Sequence, residues 1–501
     1  MNKNLKYFLV MFSVFSGASH SAELNWHVGL TSSRNSIAAT GLEIDPDATT
    51  VLYLAGLSGP SESSLELDSL LNEHLANSAD LTNNLIIISN ANPDAEPLHF
   101  PPEGEAYTEN TVSHVLWRWI GTHAPDLIIL EQGEDYGFVE AVRNLGIAGF
   151  GTLPVIRLSQ NNKKPEFLTS ILGLERSEAS INLDKRVART PQNMAEQLAS
   201  VYGYDFSAPV YVPGMSVIGR LRLGHDGPVN DLLAPYLGEK KFEITNASLL
   251  AGQLVFAEHY EKTGSRESLQ LVLRAANLAF DDEGNPLTVA PFHNEMSDSF
   301  FMATPILAKA GKFTGEDKYF DMAARHLYYL QGMLLRENKL YRHSPEADVA
   351  WSRGNGFVAL GLVLTLSDFP REHSSRDLIF GYLAEHLEAL LSHQDADGMW
   401  HEVIDRPDSF AEITSTAMIG MAIKRGLDNG WLPEETYGPA LEKAWRAVKI
   451  RTDFDGVFIN ACTSTGKMTS LDAYLDRLAI FDRDDRAGGM VMNFAIEMAN
   501  R

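Results

Sequence analysis

The feature that most constrains this chain is a change in hydrophobic periodicity after Thr190. From there onward, apolar residues recur every three or four positions, which is the spacing of one face of an α-helix and not of a β-strand. The pattern predicts helices at 191–202, 214–223, 247–262, 266–280, 298–309, 316–334, 355–366, 376–392, 414–425, 437–449 and 489–498. Helices with one apolar face must bury that face against each other, so residues 190–501 are predicted to form an all-α domain.

Two turns in this region resemble each other. Residues 262–266 read Lys-Thr-Gly-Ser-Arg, and residues 312–317 read Lys-Phe-Thr-Gly-Glu-Asp. In both, the glycine can take the left-handed conformation that ends a helix, and the polar residues after it suit the first turn of the next helix. A repeated helical hairpin over roughly 310 residues predicts an (α/α)6 toroid whose irregular segments collect at one end as a site. An open helical solenoid is the alternative architecture.

Residues 40–185 have a different texture. Apolar runs at 50–57, 85–90, 126–132 and 151–157 alternate with segments of helical length such as 65–76 and 110–123. Continuous apolar runs of this kind predict an α/β domain with a mostly parallel sheet.

The stretch from Tyr53 to Ser63 faintly resembles the start of zinc carboxypeptidase domains. The residues Ser58-Gly-Pro-Ser-Glu62 stand where that resemblance would require metal ligands, so a working metallopeptidase is excluded. A serine in such a sequence is far more often part of a turn than a nucleophile. This domain is therefore interpreted as a degenerate peptidase-like domain with a structural or glycan-binding role.

Residues 1–22 have the layout of a signal peptide. Lys3 and Lys6 precede a short apolar run at 7–15, and small residues follow as far as Ala22. The run is too short to span a bilayer, so no stable membrane insertion is expected after its removal. The sequence predicts an exported protein, either periplasmic or extracellular.

Charge and cysteine content exclude several classes of partner. A formal net charge of −25 without a Lys/Arg cluster argues against nucleic acid. It also disfavours a long groove for a polyanion, so an acidic ligand should be small and held end-on by one or two arginines. Cys462 is the only cysteine, which excludes an intramolecular disulfide and a thiolate-rich metal site. No metal or cofactor is predicted, and no oligomeric state is defined.

Residues able to carry chemistry cluster in the non-helical segments of the C-terminal region. These segments are 293–298, 341–343, 351–355 and 399–402, and together they contain histidine, tryptophan, arginine and carboxylate side chains. Aromatic rings can cover a pyranose, arginine can bind a carboxylate in bidentate fashion, and an acid can move a proton. The combination predicts a sugar site.

Four motifs in this region carry a resemblance to a known family. They are MSDSFFMATPILAKAG at 296–311, WSRGNGF at 351–357, GMWHEVID with EITSTAM between 398 and 418, and CTSTGKMTSLDAYLDR at 462–477. In this order they resemble glycoside hydrolase family 105, the unsaturated rhamnogalacturonyl hydrolases, which is close to the unsaturated glucuronyl hydrolases of family 88. The resemblance covers about residues 190–501, the predicted glycoside hydrolase domain.

The resemblance implies a hydrolase that removes a 4,5-unsaturated uronic acid from the non-reducing end of an acidic oligosaccharide made by a lyase. The reaction hydrates the C4=C5 bond and needs one proton-shuttling carboxyl group. Asp298 matches the family's general acid/base. The dipole of the helix that it begins would favour its charged form, so burial or a neighbouring carboxylate such as Glu295 would have to offset the dipole. Its alternative role is a plain helix N-cap.

The other matching positions are predicted to bind substrate. His343 is expected to orient the water, Arg353 to bind the uronate carboxylate, and Trp351 to stack on the sugar; structural roles are the alternatives. The further candidates are His293, Trp400, His401, Tyr474 and Arg477. Many relatives carry a second essential acid where this chain reads Thr245-Asn-Ala-Ser248, so Glu295 is the candidate replacement.

Three other functions remain open at this point. A polysaccharide lyase could use the same toroid, but it would be expected to show a basic cleft. An inverting glycosidase would need paired carboxylates. A non-catalytic glycan-binding protein would use Asp298 only as a cap.

Overall fold

The computed structural model describes residues 22–43, 45, 47–60, 83–158, 173–238 and 242–500. The predicted signal peptide as far as Ser21, the predicted helix at 65–76 and Glu62 lie outside these residues. Within them, a region containing a sheet is followed by a helical region, as the hydrophobic patterns predict.

Among the described residues, the first region is built on a six-stranded sheet. Its strands are β1 (Ala22–Leu30), β2 (Ser36–Glu43), β3 (Thr50–Leu54), β4 (Asn84–Ile88), β5 (Leu127–Leu130) and β6 (Val155–Arg157). Their order is β1-β2-β4-β3-β5-β6; the last four are parallel, and β1 and β2 pair antiparallel. β4 and β5 are buried throughout, as parallel strands covered on both faces should be. The predicted start of this domain at residue 40 leaves out β1 and the first half of β2, because the alternating pattern of β2 gives a weaker signal than a continuous apolar run.

Among the described residues, the helices that accompany this sheet are α1 (Thr111–His123), α2 (Phe138–Glu140), which continues as a π-helical turn at Ala141–Leu145, and α3 (Glu178–Val187). α1 is buried from Thr111 to Thr122. Val115 and Ile120 of this helix share an apolar core with Leu52 and Ile128 of the sheet. Because α1 is enclosed on every side, it carries polar side chains such as Arg118 into the interior.

The helical region consists of long helices and short strands at their ends. The helices are α4 (Pro191–Ala199), α5 (Tyr211–Arg222), α6 (Asp226–Leu237), α7 (Ala247–Gly252), α8 (Leu254–Thr263), α9 (Arg266–Asn277), α10 (Ser299–Met302), α11 (Thr304–Thr314), α12 (Asp317–Leu334), α13 (Ser352–Asp368), α14 (Arg376–Leu391), α15 (Ile413–Asp428), α16 (Glu434–Ile450), α17 (Leu471–Leu475) and α18 (Asp485–Ala499). The strands are β7 (Trp400–His401), β8 (Ala411–Glu412), β9 (Phe458–Cys462) and β10 (Ala479–Asp482).

One set of helices forms a closed circuit of contacts, and these are called the inner helices here. In order they are α5, α7 with α8, α10 with α11, α13, α15 and α18, and α18 contacts α5 again. The outer helices α4, α6, α9, α12, α14 and α16 each pack on one or two inner helices. The chain thus alternates between outer and inner positions.

The hairpin turns have the predicted conformation. Gly264 and Gly315 have φ angles of 72° and 74°, and Ser265 caps α9 by accepting a hydrogen bond from the Ser268 amide. Helix α6 is absent from the sequence-based prediction, because Gly227, Pro228 and Pro235 within it are typical of turns.

The inner helices begin at the same end of the circuit. The ring of Tyr211 in the first turn of α5 lies 6.0 Å from that of Phe301 in α10 and 5.6 Å from that of Phe357 in α13. Gly356 of α13 lies against Ser415 at the start of α15. The positive ends of several helix dipoles therefore point towards one place.

Ion pairs lie at the opposite end of the inner helices. Arg222 pairs with Glu258 at 2.8 Å, Arg425 Nε donates to Glu497 at 3.0 Å, and Lys309 lies 3.2 Å from Asp368. Arg222 and Arg425 stand in the last turns of α5 and α15, where a positive charge complements the helix dipole.

The sheet region packs on the end where the inner helices begin. Ile450 and Ile459 join its apolar core, and Arg186 donates to the Ile450 carbonyl at 2.8 Å. Leu30 at the end of β1 belongs to the same apolar cluster as Trp351 and Tyr474. Both regions therefore contribute to the surroundings of the predicted site. Within the described ranges, no helix has the length and apolar character needed to cross a bilayer.

Candidate active site

Asp298 lies at the start of α10, after a segment with unusual backbone geometry. Phe292, Asn294 and Glu295 have φ angles of 63°, 49° and 55°. Such angles are uncommon for residues other than glycine and concentrate at functional sites. The Asp298 side chain makes no capping hydrogen bond with α10. Its carboxylate therefore accepts no hydrogen bond from the amides of the first helical turn, unlike the side chain of a plain N-cap residue.

His343 contacts Asp298 directly. Its Nε2 lies 3.2 Å from Asp298 Oδ2, and its side chain is fully buried while 16% of the Asp298 side chain is exposed. On the other side of the imidazole, Nδ1 lies 2.8 Å from the Tyr474 hydroxyl. The Met468 amide donates to that hydroxyl oxygen at 3.3 Å, so we assign the tyrosine proton to His343 Nδ1. His343 Nε2 is then the ring nitrogen that bears the proton; it lies 3.2 Å from Asp298 Oδ2, and neither atom has a hydrogen-bond partner within the described part of the chain.

Glycine 354 lets the two segments that carry this pair approach each other. A Cβ atom at Gly354 would lie 2.4 Å from Ser297 Oγ and 3.3 Å from the Trp351 ring. The Ser297 amide donates to the His343 carbonyl at 2.9 Å. This backbone bond fixes Asp298 and His343 relative to each other before any substrate arrives.

Trp351 and Arg353 support the site from beneath instead of presenting groups to it. The Trp351 side chain is only 1% exposed and packs against His343 at 4.4 Å between ring centroids, so it offers no free face to a sugar. Arg353 is 3% exposed and donates to the carbonyls of Cys462, at 2.7 Å, and Thr463. The predicted stacking and carboxylate-binding roles are at odds with this burial. The Arg353 N–H groups that were predicted to bind the substrate carboxylate donate to these loop carbonyls instead.

A pair of buried carboxylates, Glu402 and Glu412, lies beneath Trp351. Glu402 Oε1 accepts hydrogen bonds from Trp351 Nε1 at 2.9 Å and from the Cys462 thiol at 3.1 Å. Burial and the neighbouring Glu412 raise the pKa of Glu402 to about 8, so it holds a proton at neutral pH. Burial, with Glu402 beside it, raises the pKa of the Cys462 thiol well above its usual range. Sequence reasoning chose two neighbours of Glu402 and missed this residue.

Glu412 has the capping role that was the alternative for Asp298. It is the N-cap of α15, and its carboxylate accepts from the amides of Thr414 at 3.1 Å and Ser415 at 2.6 Å. It also accepts from the Cys462 amide at 3.0 Å. The signal in the sequence for this cap was a carboxylate two and three residues before Thr414 and Ser415, from whose amides it accepts hydrogen bonds.

Trp400, His401 and Arg477 have structural partners. Trp400 is fully buried and donates from Nε1 to the Leu390 carbonyl at 2.7 Å. His401 pairs with Asp395 at 2.9 Å, away from Asp298, and although burial alone would lower its pKa, Asp395 raises it. Arg477 donates to Thr463 Oγ1 at 2.8 Å and so braces the loop that carries Tyr474.

His293 and Glu295 lie at the outer edge of the site. His293 is partly buried, and its Nδ1 accepts from the Glu295 amide at 3.0 Å. Burial lowers the pKa of His293. Glu295 is exposed and forms an ion pair with Lys467 at 3.1 Å. Where relatives carry an acid, Asn246 caps α7 by accepting from the Leu249 amide at 2.9 Å.

Tyr211 is a further residue of the site that sequence reasoning missed. Burial raises its pKa, and the charges that act on it include Arg353, Asp298 and Arg486. These charges place the tyrosine between the starts of α5, α10, α13 and α18. Only the convergence of the inner helices identifies it, since Tyr211 and Asp298 are far apart in sequence. Among the described residues, no group of three or more His, Cys, Asp or Glu side chains is arranged to hold a metal ion.

The helical region has a known fold. It is similar to the crystal structure of a possible member of glycoside hydrolase family 105 from Salmonella enterica, with a TM-score of 0.52 and 21% sequence identity. The similarity covers 65% of this chain and 97% of that chain. The helical region therefore shares its fold with that protein.

The family follows from the sequence model of Glycosyl Hydrolase Family 88, which matches residues 238–501, more than half of the chain. The chain belongs to this family. The resemblance carried by the four motifs is thereby confirmed.

Two curated relatives are similar over part of their length. One is an unsaturated 3S-rhamnoglycuronyl hydrolase of Formosa agariphila, 29% identical over 179 residues that make up 32% of this chain and 47% of the relative. The other is an unsaturated rhamnogalacturonyl hydrolase of Bacillus subtilis, 26% identical over 186 residues, or 36% and 52% of the two chains. The chain thus spans about half the length of the curated relatives that it matches.

Proposed function

We propose that this chain removes a 4,5-unsaturated uronic acid from the non-reducing end of an acidic oligosaccharide by hydrating the C4=C5 bond. The observation that carries the proposal is the Asp298–His343 pair, with Asp298 Oδ2 3.2 Å from His343 Nε2. The carboxylate is partly exposed and uncapped, and the histidine is oriented by Tyr474. A proton donor must be accessible and held in a fixed orientation, and this pair meets both requirements.

Asp298 would donate a proton to C4 of the sugar, leaving positive charge shared between C5 and the ring oxygen. Water then adds to C5 and returns a proton to the Asp298 carboxylate, which restores the acid. The resulting hemiketal opens to a ketone at C5 and a hemiacetal at C1. Collapse of the hemiacetal releases the next sugar as an alcohol, so that one water is consumed and one glycosidic bond is broken.

The architecture supports this reaction. We propose that the closed circuit of inner helices, with its outer partners, is the predicted (α/α)6 toroid, because the chain alternates between the two layers. The dipoles of the inner helices meet at the site and would favour a substrate carboxylate there. Glu295 stays the candidate second acid at the edge of the site, held by Lys467.

For the substrate, we infer an unsaturated uronate attached to rhamnose. The names of both curated relatives combine these two sugars. We also infer that the protein is exported, on the basis of the pattern at 1–22. Fractionation of cells into cytoplasm, periplasm and medium would test this, and recovery of the uncleaved chain in the cytoplasm would contradict it.

The decisive experiment follows the ultraviolet absorbance of the C4=C5 bond in a panel of lyase-generated disaccharides from rhamnogalacturonan, ulvan and glycosaminoglycans. Hydration predicts a loss of absorbance, whereas lyase action on the parent polymers would increase it. No change with any substrate, together with measurable binding, would indicate a glycan-binding protein. Loss of absorbance that persists unchanged in Asp298→Asn would refute the assigned proton donor.

A further inference from the structure

A cavity lies between the sheet region and the helical region, and Asp298 is not among the residues that line it. Its volume is about 210 Å³, and it is bounded by β1 and α1 on one side and by residues 392–397 and 401–411 on the other. Asn25 and His27 stand exposed at its rim. We call it the Arg118–Arg451 cavity after the two buried arginines that line it.

Among the described residues, neither arginine donates a hydrogen bond to a carboxylate, and Arg118 forms no ion pair. Arg118 is 6% exposed and donates from Nη1 to Asn460 and to the Ala479 carbonyl, each at 2.7 Å. Arg451 is 5% exposed, and its nearest carboxylate, Asp397, lies 3.7 Å away. The Nε atoms of both side chains are buried without a hydrogen-bond partner. Buried charges are normally paired, so two guanidinium groups in this state point to a missing anion.

The carboxylates of the cavity already have other partners. Asp397 accepts from Trp26 Nε1 at 2.9 Å and lies 3.2 Å from His123 Nε2. Asp395 is paired with His401 at 2.9 Å. Asp397 also lies 3.7 Å from Arg451, whereas neither acid forms an ion pair with Arg118, so the charge of Arg118 remains available to a ligand.

The walls and the volume limit the kind of anion. Trp26, Trp119, Tyr107 and Phe410 line the cavity. Trp119 is stacked on His123 and Tyr107 on Phe410, whereas Trp26 makes only edge-to-face contacts with its neighbours, so Trp26 is the ring that can accept the apolar face of a sugar. The volume is several times the roughly 30 Å³ of one liquid water, yet below the roughly 300 Å³ at which pockets for larger ligands begin. A single ring fits this range better than an inorganic ion or an oligosaccharide.

We propose that the Arg118–Arg451 cavity binds one monosaccharide that carries a carboxylate, a hexuronate, at a site separate from Asp298. The carboxylate would lie between the two guanidinium groups, and the ring would lie against Trp26. A ligand bound between the two regions would also hold them together, and any ligand specific to the folded state raises thermal stability.

The test is isothermal titration of the full chain, as Asp298→Asn, with D-glucuronate and D-galacturonate. We expect one of them to bind and to raise the melting temperature. Arg451→Gln should weaken that binding about 10- to 100-fold, the range for losing a hydrogen bond to a charged group. Ala396→Trp, at the exposed rim, should block entry without removing a buried charge. Its melting temperature without ligand serves as the check that the cavity walls are intact.

Each other outcome counts against the proposal. No binding of either uronate, or binding unchanged in both cavity variants, would overturn it, the latter by placing the sugar at the Asp298 site. Sulfate or glucose binding as tightly as the uronate would overturn the assignment to a carboxylated ring. Turnover of unsaturated disaccharides by Arg451→Gln and Ala396→Trp should equal that of the unmodified chain. A failure of the proposed reaction would appear only in the turnover assay with unsaturated disaccharides, and not in the titration with uronates.

Discussion

Asp298 and Glu412 both stand at the first turn of an inner helix, yet the structure uses their carboxylates differently. Glu412 is buried, and the amides of Thr414, Ser415 and Cys462 bind its oxygens. Asp298 makes no capping bond and faces His343. The same position in a helix therefore supports a structural cap in one case and, in our proposal, the proton donor in the other, and the neighbouring side chains decide which.

The largest effect is expected from Asp298→Asn. Asparagine keeps the shape but cannot shuttle a proton, so kcat should fall about 10³-fold, within the range for general acid–base catalysis. The melting temperature should change little, because Asp298 caps nothing. Asp317→Asn, at the exposed start of α12, is the matched control and should leave kcat unchanged. A marked loss of stability without a loss of kcat in Asp298→Asn would show that Asp298 has a structural role like that of Glu412 and is not the proton donor.

The reverse pattern is expected from Glu412→Ala. Removing the cap leaves three buried amides without their acceptor, which should lower the free energy of unfolding by about 2–3 kcal/mol. Chemical denaturation with a circular dichroism signal would measure it. KM and kcat of the remaining folded protein should change far less than in Asp298→Asn. Equal losses of kcat in the two variants would contradict separate roles for Glu412 and Asp298.

The third prediction concerns Glu402 and pH. The ordinary pKa of this group is 4.5 and its pKa in the folded chain is about 8, so between these values the folded chain holds a proton that the unfolded chain releases. The contribution of Glu402 to stability is complete below about pH 4.5 and is lost as pH rises towards 8, by as much as about 1.4 kcal/mol per unit. Glu402→Gln, measured by denaturation across this range, should flatten the decline. Glu295→Gln, an exposed control, should not; a Glu402→Gln profile parallel to that of the unmodified chain would contradict the raised pKa.

The smallest effect is expected from Tyr474→Phe. The change removes the hydroxyl that fixes the tautomer of His343, so kcat should fall about 10-fold, corresponding to roughly one hydrogen bond, with KM little altered. Tyr202→Phe removes a buried hydroxyl that donates to the Gly456 carbonyl, and it should affect stability only. A rise in KM with unchanged kcat in Tyr474→Phe would move Tyr474 from orienting His343 to binding substrate.

Much of the architecture could be predicted from the sequence. Apolar periodicity located most helices and the parallel strands, because those elements bury continuous faces. Helix α6 was missed because its prolines and glycine are locally typical of turns, and long-range packing stabilises it, against α5 and through Tyr236 against Phe206 and Phe256.

The site was harder to predict. The motifs pointed to Asp298 and His343, which the fold brings within 3.2 Å of each other. Burial could not be predicted from the sequence, so Trp351 and Arg353 were assigned to the substrate. Glu402 was overlooked because its pKa depends on Glu412 and Cys462, which only the fold brings close. Local pattern identifies elements, whereas long-range contacts determine what each polar group does.

The position of Leu30 has a further consequence. This residue of the first strand lies in one apolar cluster with Trp351 and Tyr474, while Ile450 and Ile459 of the helical region complete the core of the sheet. Removing either region would expose apolar surface on the other. Thermal unfolding of the two regions should therefore be a single cooperative transition. Proteolytic removal of the sheet region should abolish the proposed activity, although it removes neither Asp298 nor His343.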